Sequence, residues 1–225
     1  FAVFASQWLS EGVRPITWVS IKDPDFNGEM SKYETTNAQY CQYLNDAMAS
    51  NLITVYENNG VVYATTDTDH VKPYFCTEAN NSWSQIAYSG GAFSVRSRDG
   101  NSMADHPVVM VSWYGATAFC DYYGYRLPTE GEWQAVASYN GTYTYGCGDT
   151  ISQSIANYFD FDVDYANPLH LTDYPYTSPV GYYPAYGYGM CDMAGNVYEW
   201  TSPVDSEGGY RVFRGGSWAE DSNEC

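Results

Sequence analysis

The residues of this chain best suited to covalent or metal chemistry are its six cysteines. They are Cys41, Cys76, Cys120, Cys147, Cys191 and Cys225. Because no two of them form a Cys-X-X-Cys pair, their spacing argues against a zinc site. An even number of widely spaced cysteines favours disulfide bonds and an oxidising compartment. We therefore treat all six as disulfide candidates, and the sequence leaves their connectivity open.

Three aspartates alternate at Asp160, Asp162 and Asp164, in the way that a calcium-binding EF-hand loop begins. Such a loop needs glycine at its sixth position and glutamate at its twelfth. Here those positions hold Tyr165 and Leu171. The pattern therefore predicts a solvent-exposed acidic edge instead of an EF-hand.

The excess of acidic over basic residues excludes some classes of binding partner. The chain has 27 Asp and Glu against 9 Lys and Arg, a net charge of −18. Such a surface repels a phosphate backbone, so we expect no nucleic-acid partner. No apolar run approaches the ~20 residues that a membrane helix needs, so no membrane span is expected. With the cysteines, this composition indicates a secreted or extracellular protein, with Asn80 and Asn140 as glycosylation candidates in Asn-X-Ser/Thr triplets.

Two capping boxes predict where helices begin. Thr36 with Gln39, and Thr129 with Glu132, can each satisfy two free amide groups at a helix start. The first pair opens a helix that extends to about residue 50, and the second opens one that contains Trp133.

A third helix is predicted between an N-cap at Ser112 and an end at Gly124. The apolar run Val108–Val111 before it predicts a buried strand. Shorter β-like runs at Ile53–Tyr56 and Val61–Tyr63 are separated by Asn, Gly and Ser, which is typical of short strands joined by turns.

Four sequence blocks occur together in a fixed order. They are His-Pro-Val-Val-Met-Val-Ser-Trp (106–113), Arg-Leu-Pro-Thr-Glu-Gly-Glu-Trp (126–133), Gly-Met-Cys-Asp-Met-Ala-Gly-Asn-Val-Tyr-Glu-Trp (189–200) and Arg-Val-Phe-Arg-Gly-Gly-Ser-Trp (211–218). In this order they resemble the formylglycine-generating, sulfatase-modifying-factor family. The resemblance implies an α+β fold of the C-type-lectin-like kind, with few helices, short strands and much irregular loop.

The resemblance also implies a domain organisation. It covers roughly residues 28–225, with residues 51–105 as an expected insertion. Residues 1–27 are then an N-terminal segment that serves as a linker or as a strand between subunits. The family continues beyond the last block into a closing strand that this sequence does not contain, so we expect either that the sequence is a fragment or that the fold lacks that strand. A strand from another chain could fill the gap, and the apolar residues 1–9 are the candidate donor for a homo-oligomer or filament.

Members of this family bind two calcium ions, and the resemblance carries both sites onto this chain. Calcium takes several hard oxygen ligands, including backbone carbonyls, so it suits loops such as those after residue 138. The second site would use Asp192, Glu199 and the carbonyl oxygens of Gly195 and Val197, and the first would use Asn157, the Tyr158 carbonyl and Asp173. The alternative is that Asn196 and Glu199 only hydrogen-bond to turn amides.

Family oxidases also hold copper(I) between two thiolates, at positions that correspond here to Glu220 and Cys225. Copper(I) prefers soft thiolates to hard carboxylates, so the glutamate argues against copper. Acidic neighbours disfavour the reactive thiolate, so Cys225 is expected to be half of a disulfide. If the chain is nevertheless an enzyme, Cys225 and the retained Ser217 are its catalytic candidates.

Three functions follow from these observations. The favoured one is a non-catalytic, secreted, calcium-stabilised module for binding a glycan or protein, or for self-assembly. The first alternative is a copper-dependent formylglycine-generating oxidase acting on Cys of sulfatase-type peptides. The second is a lectin-like binding protein whose diversified region begins after Arg214.

Overall fold

The computed structural model describes residues 15–56, 58–202 and 211–225. The segment 1–9, considered for strand donation, lies outside this range. Two compact units are formed. Unit 1 is built from Thr35–Arg126, and unit 2 combines Ile16–Glu34 with Leu127–Cys225.

The N-terminal part of unit 2 is a β-hairpin. Strand β1 (Trp18–Lys22) pairs antiparallel with β2 (Asn27–Ser31). The Asp23 carboxylate accepts a hydrogen bond of 2.9 Å from the amide of Asp25, which fixes the turn between them. The position 27/28, at which the resemblance was expected to begin, falls inside β2.

The helices of unit 1 begin at their predicted caps. Helix α1 (Asn37–Ala49) follows Thr36, whose side chain accepts from the Gln39 amide while the Gln39 side chain accepts from the Thr36 amide. Helix α2 (Trp113–Tyr123) follows Ser112, whose hydroxyl accepts from Gly115, and it ends at Gly124.

The strands described in unit 1 are short and antiparallel, and all of them lie within residues 51–105. A three-stranded sheet has the order β3 (Ile53–Tyr56), β4 (Val61–Ala64), β5 (Phe75–Cys76). Two hairpins follow, namely β6 (Ile86–Ser89) with β7 (Ala92–Val95) and β8 (Ser97–Arg98) with β9 (Asn101–Ser102). The two β-like runs predicted near residues 53 and 61 are therefore strands.

The buried strand predicted at Val108–Val111 was wrong. Within this run only Val111 makes a β-bridge, to Phe75, and all four residues are half-buried. Met110 has a φ of 64°, which interrupts the extended conformation that a strand requires. The backbone of this run instead makes individual hydrogen bonds, for example from the Val108 amide to the Thr35 carbonyl oxygen at 2.9 Å.

Aromatic rings fill the interior of unit 1. The ring of Tyr40 lies 5.4 Å from that of Phe75 and 5.7 Å from that of Phe119, measured between centroids. Leu44 and Ile86 are fully buried in the same unit. Offset and edge-to-face ring pairs of this kind give the core both apolar burial and a fixed geometry.

The described residues of the C-terminal part of unit 2 form one helix, two short strand pairs and long loops. Helix α3 (Glu130–Ser138) begins with the predicted capping box of Thr129 and Glu132. Two short antiparallel pairs follow, β10 (Phe159–Asp160) with β11 (Asp164–Tyr165) and β12 (Glu199–Trp200) with β13 (Phe213–Arg214).

The core of unit 2 joins its hairpin to α3. Ile21 of β1 packs with Trp133 and Val136 of α3 and with Met190 and Met193 of the following loops. The aspartates of the β10–β11 turn lie outside this core, and Asp162 and Asp164 are exposed as the sequence predicted. Among the described residues, no helix has the length and apolar character needed to cross a membrane.

Candidate functional site

Three carboxylates of unit 2 lie close together. Burial raises the pKa of Glu34 well above its usual value, and the charges of Asp192 and Glu199 raise it further. Burial also raises the pKa of Asp192 to about 6. It raises the pKa of Glu199 to about 7, and the charge of Asp192 adds to this effect. We call these residues the carboxylate cluster; their burial and mutual repulsion make the ionised forms unfavourable.

Each carboxylate is held by a defined donor. Glu34 follows β2, and its two oxygens accept from the Asn196 side-chain amide at 2.6 Å and from the Val197 backbone amide at 3.1 Å. Asp192 accepts from the Gly181 amide at 2.8 Å. Glu199, at the start of β12, accepts from the Trp133 indole N–H at 2.7 Å. These hydrogen bonds orient each of the three side chains.

The turn between Asp192 and Glu199 needs glycine at Gly195. This residue has a φ of 76°, and a Cβ added there would lie 2.3 Å from the carbonyl oxygen of Asn157. Any side chain would therefore push the turn away from the loop of Asn157. Asp192 and Asn196 also have positive φ angles, of 60° and 62°. The backbone therefore adopts the left-handed conformation at three positions of this turn.

Asn196 is fully buried and connects four segments of unit 2. Its side-chain N–H groups donate to Glu34 and to the Ser178 carbonyl oxygen, at 2.6 and 3.3 Å. Its side-chain oxygen accepts from the Ser178 amide at 2.9 Å and from the Asn157 amide group at 3.1 Å. The expectation that Asn196 bonds to a turn amide describes part of this network, which also holds a carboxylate.

Asn157 has one polar atom without a partner. Its side-chain N–H group donates to the Tyr176 carbonyl at 2.9 Å as well as to Asn196. Its Oδ1 atom is buried and accepts no hydrogen bond from the described residues. A buried acceptor of this kind is uncommon, because removing it from water is costly unless something replaces the lost interaction.

The other residues expected at the first calcium site are placed differently. The Tyr158 carbonyl accepts from the Gln153 side chain at 2.9 Å. Asp173 is exposed, and its carboxylate accepts from the amide of Tyr174 at 2.8 Å. Among the described residues, no three His, Cys, Asp or Glu side chains converge closely enough to hold a metal by themselves. Backbone carbonyls and side-chain amides would have to complete either site.

Glu34 was missed by the sequence analysis. It lies within Lys-Tyr-Glu-Thr-Thr, a polar stretch between a strand and a helix cap, where an acidic side chain is ordinarily exposed. Nothing in its local pattern indicates burial, because its partner Asn196 lies 162 residues away. A glutamate just after a β-hairpin could have been considered only with knowledge of the three-dimensional fold.

A cavity of about 300 Å³ lies in unit 2 beside Cys225. Its lining is mixed: five aromatic residues, Trp133, Tyr143, Tyr145, Tyr198 and Phe213, lie among polar and small residues that include Arg214 and Glu224. The guanidinium of Arg214 lies 5.3 Å from the centroid of the Trp133 ring, which holds it at the wall of the cavity.

Cys225 sits against the Gly215–Gly216 turn. A Cβ added to Gly216 would lie 3.0 Å from the Cys225 Sγ, so the thiol occupies space that a side chain at 216 would need. Burial raises the pKa of the Cys225 thiol to about 12, and the charges of Cys147 and Asp221 contribute. Ser217 is buried, and its hydroxyl accepts from the Ala219 amide at 3.2 Å. Position 220 is a half-buried glutamate.

The remaining predicted positions are distributed as follows. All six cysteines have free thiols, with Cys41, Cys76 and Cys120 in unit 1 and Cys147, Cys191 and Cys225 in unit 2. Both sequon asparagines, Asn80 and Asn140, are exposed. Disulfide formation and glycosylation stay predictions.

The sequence matches the sulfatase-modifying factor enzyme 1-like domain over residues 6–225. It is 34% identical over 191 residues to the formylglycine-generating enzyme of Mycobacterium tuberculosis, which covers 77% of this chain and 62% of that protein. It is 42% identical over 135 residues to serine/threonine-protein kinase pkn1 of Chlamydia caviae, which covers 51% of this chain and 19% of the kinase.

A third relative is the inactive C-alpha-formylglycine-generating enzyme 2 of Mus musculus, 35% identical over 119 residues, with 51% of this chain and 38% of that protein covered. The chain thus spans about a fifth of the kinases, and less than two thirds of the other relatives named here.

A solved structure of CarF shares the fold. It has a TM-score of 0.56 and 20% identity, and the match covers 93% of this chain and 90% of CarF. The predicted α+β, C-type-lectin-like architecture with few helices and much loop is therefore confirmed. With the family match over nearly the whole sequence, the chain belongs to the formylglycine-generating enzyme, or sulfatase-modifying factor, family.

Proposed function

We propose that this chain is a non-catalytic, calcium-stabilised binding module of its family, acting outside the cell. One observation carries the proposal. Glu220 stands at one of the two positions where family oxidases have copper-binding thiols, and the thiol at the other position, Cys225, is poorly ionised. Function within a family depends on such site residues and not on the shared fold. The mouse relative described as inactive is a further case of a family member without the activity.

The residues at the copper position do not fit copper(I). A single thiol and a carboxylate make a poor pair of ligands for a soft ion. The pKa of Cys225 is raised to about 12, so at neutral pH the thiol is almost entirely protonated. A protonated thiol is neither a metal ligand nor a nucleophile. Cys225 and Ser217 are therefore not assigned a catalytic role.

Calcium fits the loops of unit 2 better. At the second site, the carboxylates of Asp192 and Glu199 and the carbonyls of Gly195 and Val197 would hold the ion. Glu34 would add negative charge to this site, because it shares the carboxylate cluster. A divalent cation would neutralise a cluster that burial otherwise makes unfavourable.

The first site has support from a separate observation. The unpaired, buried Oδ1 of Asn157 is a hard oxygen ligand of the type that calcium uses. It would act with the Tyr158 carbonyl, and Asp173 would have to turn from its present contact with Tyr174. Because Asn157 also bonds to Asn196, the two sites would stabilise each other's loops.

The cavity beside Cys225 is the proposed binding site. Its volume of about 300 Å³ is in the range of small-ligand sites, and Arg214 and Glu224 supply polar groups among the rings. A lectin-like role remains the second candidate, because residues after Arg214 line the same cavity. Assembly through residues 1–9 is a separate proposal that particle sizing with and without that segment would test.

The experiment combines calcium, copper and a peptide substrate. Purified protein freed of metal should show a higher melting temperature with calcium and a much smaller change with magnesium. Given copper(I), oxygen and a Cys-X-Pro-X-Arg peptide, it should not convert the peptide cysteine to formylglycine.

The matched variant for this experiment is Glu220→Cys. It supplies the missing sulfur, and in the reduced state, with Cys225 as a free thiol, it should bind copper(I) where the reduced native chain does not. Stoichiometric copper binding and peptide oxidation by the native chain would overturn the non-catalytic proposal. An unchanged melting temperature in calcium would overturn the stabilising role of the ion.

A further inference from the structure

Two cysteines of unit 2 meet in one apolar cluster. Cys147 is buried with Ala156, Tyr158 and Ala194, and Cys225 packs against the same cluster. The charge of Cys147 is also, after burial, among the causes that raise the pKa of Cys225. The two residues are 78 positions apart in the sequence, so only the fold brings them together.

The backbone on both sides directs these side chains inward. Cys147 lies in a tight turn closed by hydrogen bonds between Tyr145 and Gly148, at 2.8 and 3.0 Å. Cys225 is packed against Gly216, and its Sγ lies 3.7 Å from the Asp221 carbonyl oxygen. Neither thiol is on a long or unsupported segment.

The third cysteine of unit 2 has different neighbours. Burial raises the pKa of the Cys191 thiol to about 11. The charged groups that also affect this pKa are Asp192, Lys32 and Glu34, which belong to the carboxylate cluster and its surroundings. Neither Cys147 nor Cys225 is among them. Cys191 is therefore the natural control for the other two.

We propose that Cys147 and Cys225 form a disulfide bond in the mature protein. Cys147 lies outside the four sequence blocks that carry the resemblance to the family. The bond goes beyond the proposed function and does not depend on calcium. It would consume the single thiol retained at the copper position.

The two cysteine thiols can be oxidised by thiol–disulfide exchange with a small disulfide such as oxidised glutathione. One cysteine, as its thiolate, attacks the carrier disulfide and releases one carrier thiolate, giving a mixed disulfide. The other cysteine, deprotonated in turn, attacks that bond and releases the second carrier thiolate. Two protons and two electrons leave the protein, one S–S bond forms and one breaks in the carrier.

The timing of this exchange follows from burial. Burial raises the pKa of Cys147 to about 11 and contributes most to the raised pKa of Cys225, so little thiolate is present once the chain has folded. The exchange should therefore proceed while the chain is still folding, when both thiols are exposed.

Peptide mapping of the full chain tests the bond directly. The protein is refolded in a glutathione redox buffer, blocked with N-ethylmaleimide and digested without reduction. Trypsin alone leaves Cys147 and Cys191 on one peptide, because no Lys or Arg lies between Arg126 and Arg211. A second protease that cleaves after acidic residues separates them, and mass spectrometry should then detect Cys147 linked to Cys225.

Two variants provide the matched comparison. In Cys147→Ser the Cys225 thiol should become labelled by maleimide after unfolding, whereas in Cys191→Ser the link should persist. A free Cys225 in the native chain, or a link from Cys225 to Cys191, would overturn the proposal. So would copper(I) bound by both thiols in place of the bond. The calcium-induced rise in melting temperature should be the same in Cys147→Ser, which separates this test from that of the proposed function.

Discussion

Neutralising Glu199 should have opposite effects with and without calcium. The substitution Glu199→Gln keeps the size of the side chain and can keep an oxygen for the Trp133 indole N–H, which lies 2.7 Å from the carboxylate. It removes one negative charge from the carboxylate cluster. Without metal that charge is unfavourable, and with calcium it is a ligand.

The magnitude follows from the pKa of Glu199, which rises from 4.5 to about 7 on folding. At about 1.36 kcal/mol per pKa unit, the ionised carboxylate destabilises the metal-free protein by roughly 3 kcal/mol above pH 7. Because the pKa is higher in the folded state, the native protein holds more protons between pH 4.5 and 7. Stability of the metal-free native chain should therefore fall as pH rises through this window.

The assay is thermal unfolding of both proteins in a chelator across pH 5 to 8. At pH 8 the metal-free Glu199→Gln variant should melt roughly 6 to 12 °C above the native chain, and at pH 5 the two should nearly coincide. With calcium at pH 8 the order should reverse, because only the native chain gains the full stabilisation.

The control is Glu29→Gln, which removes one charge from an exposed position of β2. It should change the melting temperature little in either condition. If Glu199→Gln melts below the native chain in chelator at pH 8, the ionised carboxylate is not unfavourable and the reasoning fails. If calcium stabilises both proteins equally, Glu199 is not a ligand.

Three further predictions concern the loops, a helix cap and the thiol. Gly195→Ala should lower the free energy of unfolding in urea by roughly 2 to 4 kcal/mol. The reason is that the added Cβ would lie 2.3 Å from the Asn157 carbonyl oxygen, at a residue with a positive φ. A loss below ~0.5 kcal/mol would contradict that contact. Thr129→Ala removes one capping bond of α3 and should cost about 1 kcal/mol, whereas Thr129→Ser should restore most of it. In the reduced, folded protein, iodoacetamide should modify Cys225 roughly a thousandfold more slowly than an ordinary thiol, because its pKa rises from 9.0 to about 12; equal rates before and after unfolding would refute the burial.

Local signals in the sequence predicted the helices well. A capping box is read from two residues three positions apart, and both boxes open helices in the structure. The strand expected at Val108–Val111 failed because periodicity reports apolar character and not φ. The positive φ of Met110 depends on how the segment meets Phe75 and Thr35, which no local pattern contains.

The candidate site was predictable only in part. The turn from Asp192 to Glu199 carries its own glycine and asparagine, so its curled backbone can be inferred from the residues themselves. Glu34 and the pairing of Cys147 with Cys225 could not, because each depends on segments far apart in sequence. Sequence reasoning finds residues whose neighbours are local and misses those whose environment is assembled by the fold.

Unit 2 is formed by two segments that lie on either side of unit 1 in the sequence, and this affects how the chain folds during synthesis. Its hairpin and Glu34 emerge from the ribosome before unit 1, whereas Asn196 follows 162 residues after Glu34. Unit 1 can complete its own contacts on the nascent chain, but the hairpin must wait for partners that have not yet been translated. We expect this long-range closure to be the slow step of folding, and chaperone dependence to be greatest while the early hairpin is unpaired.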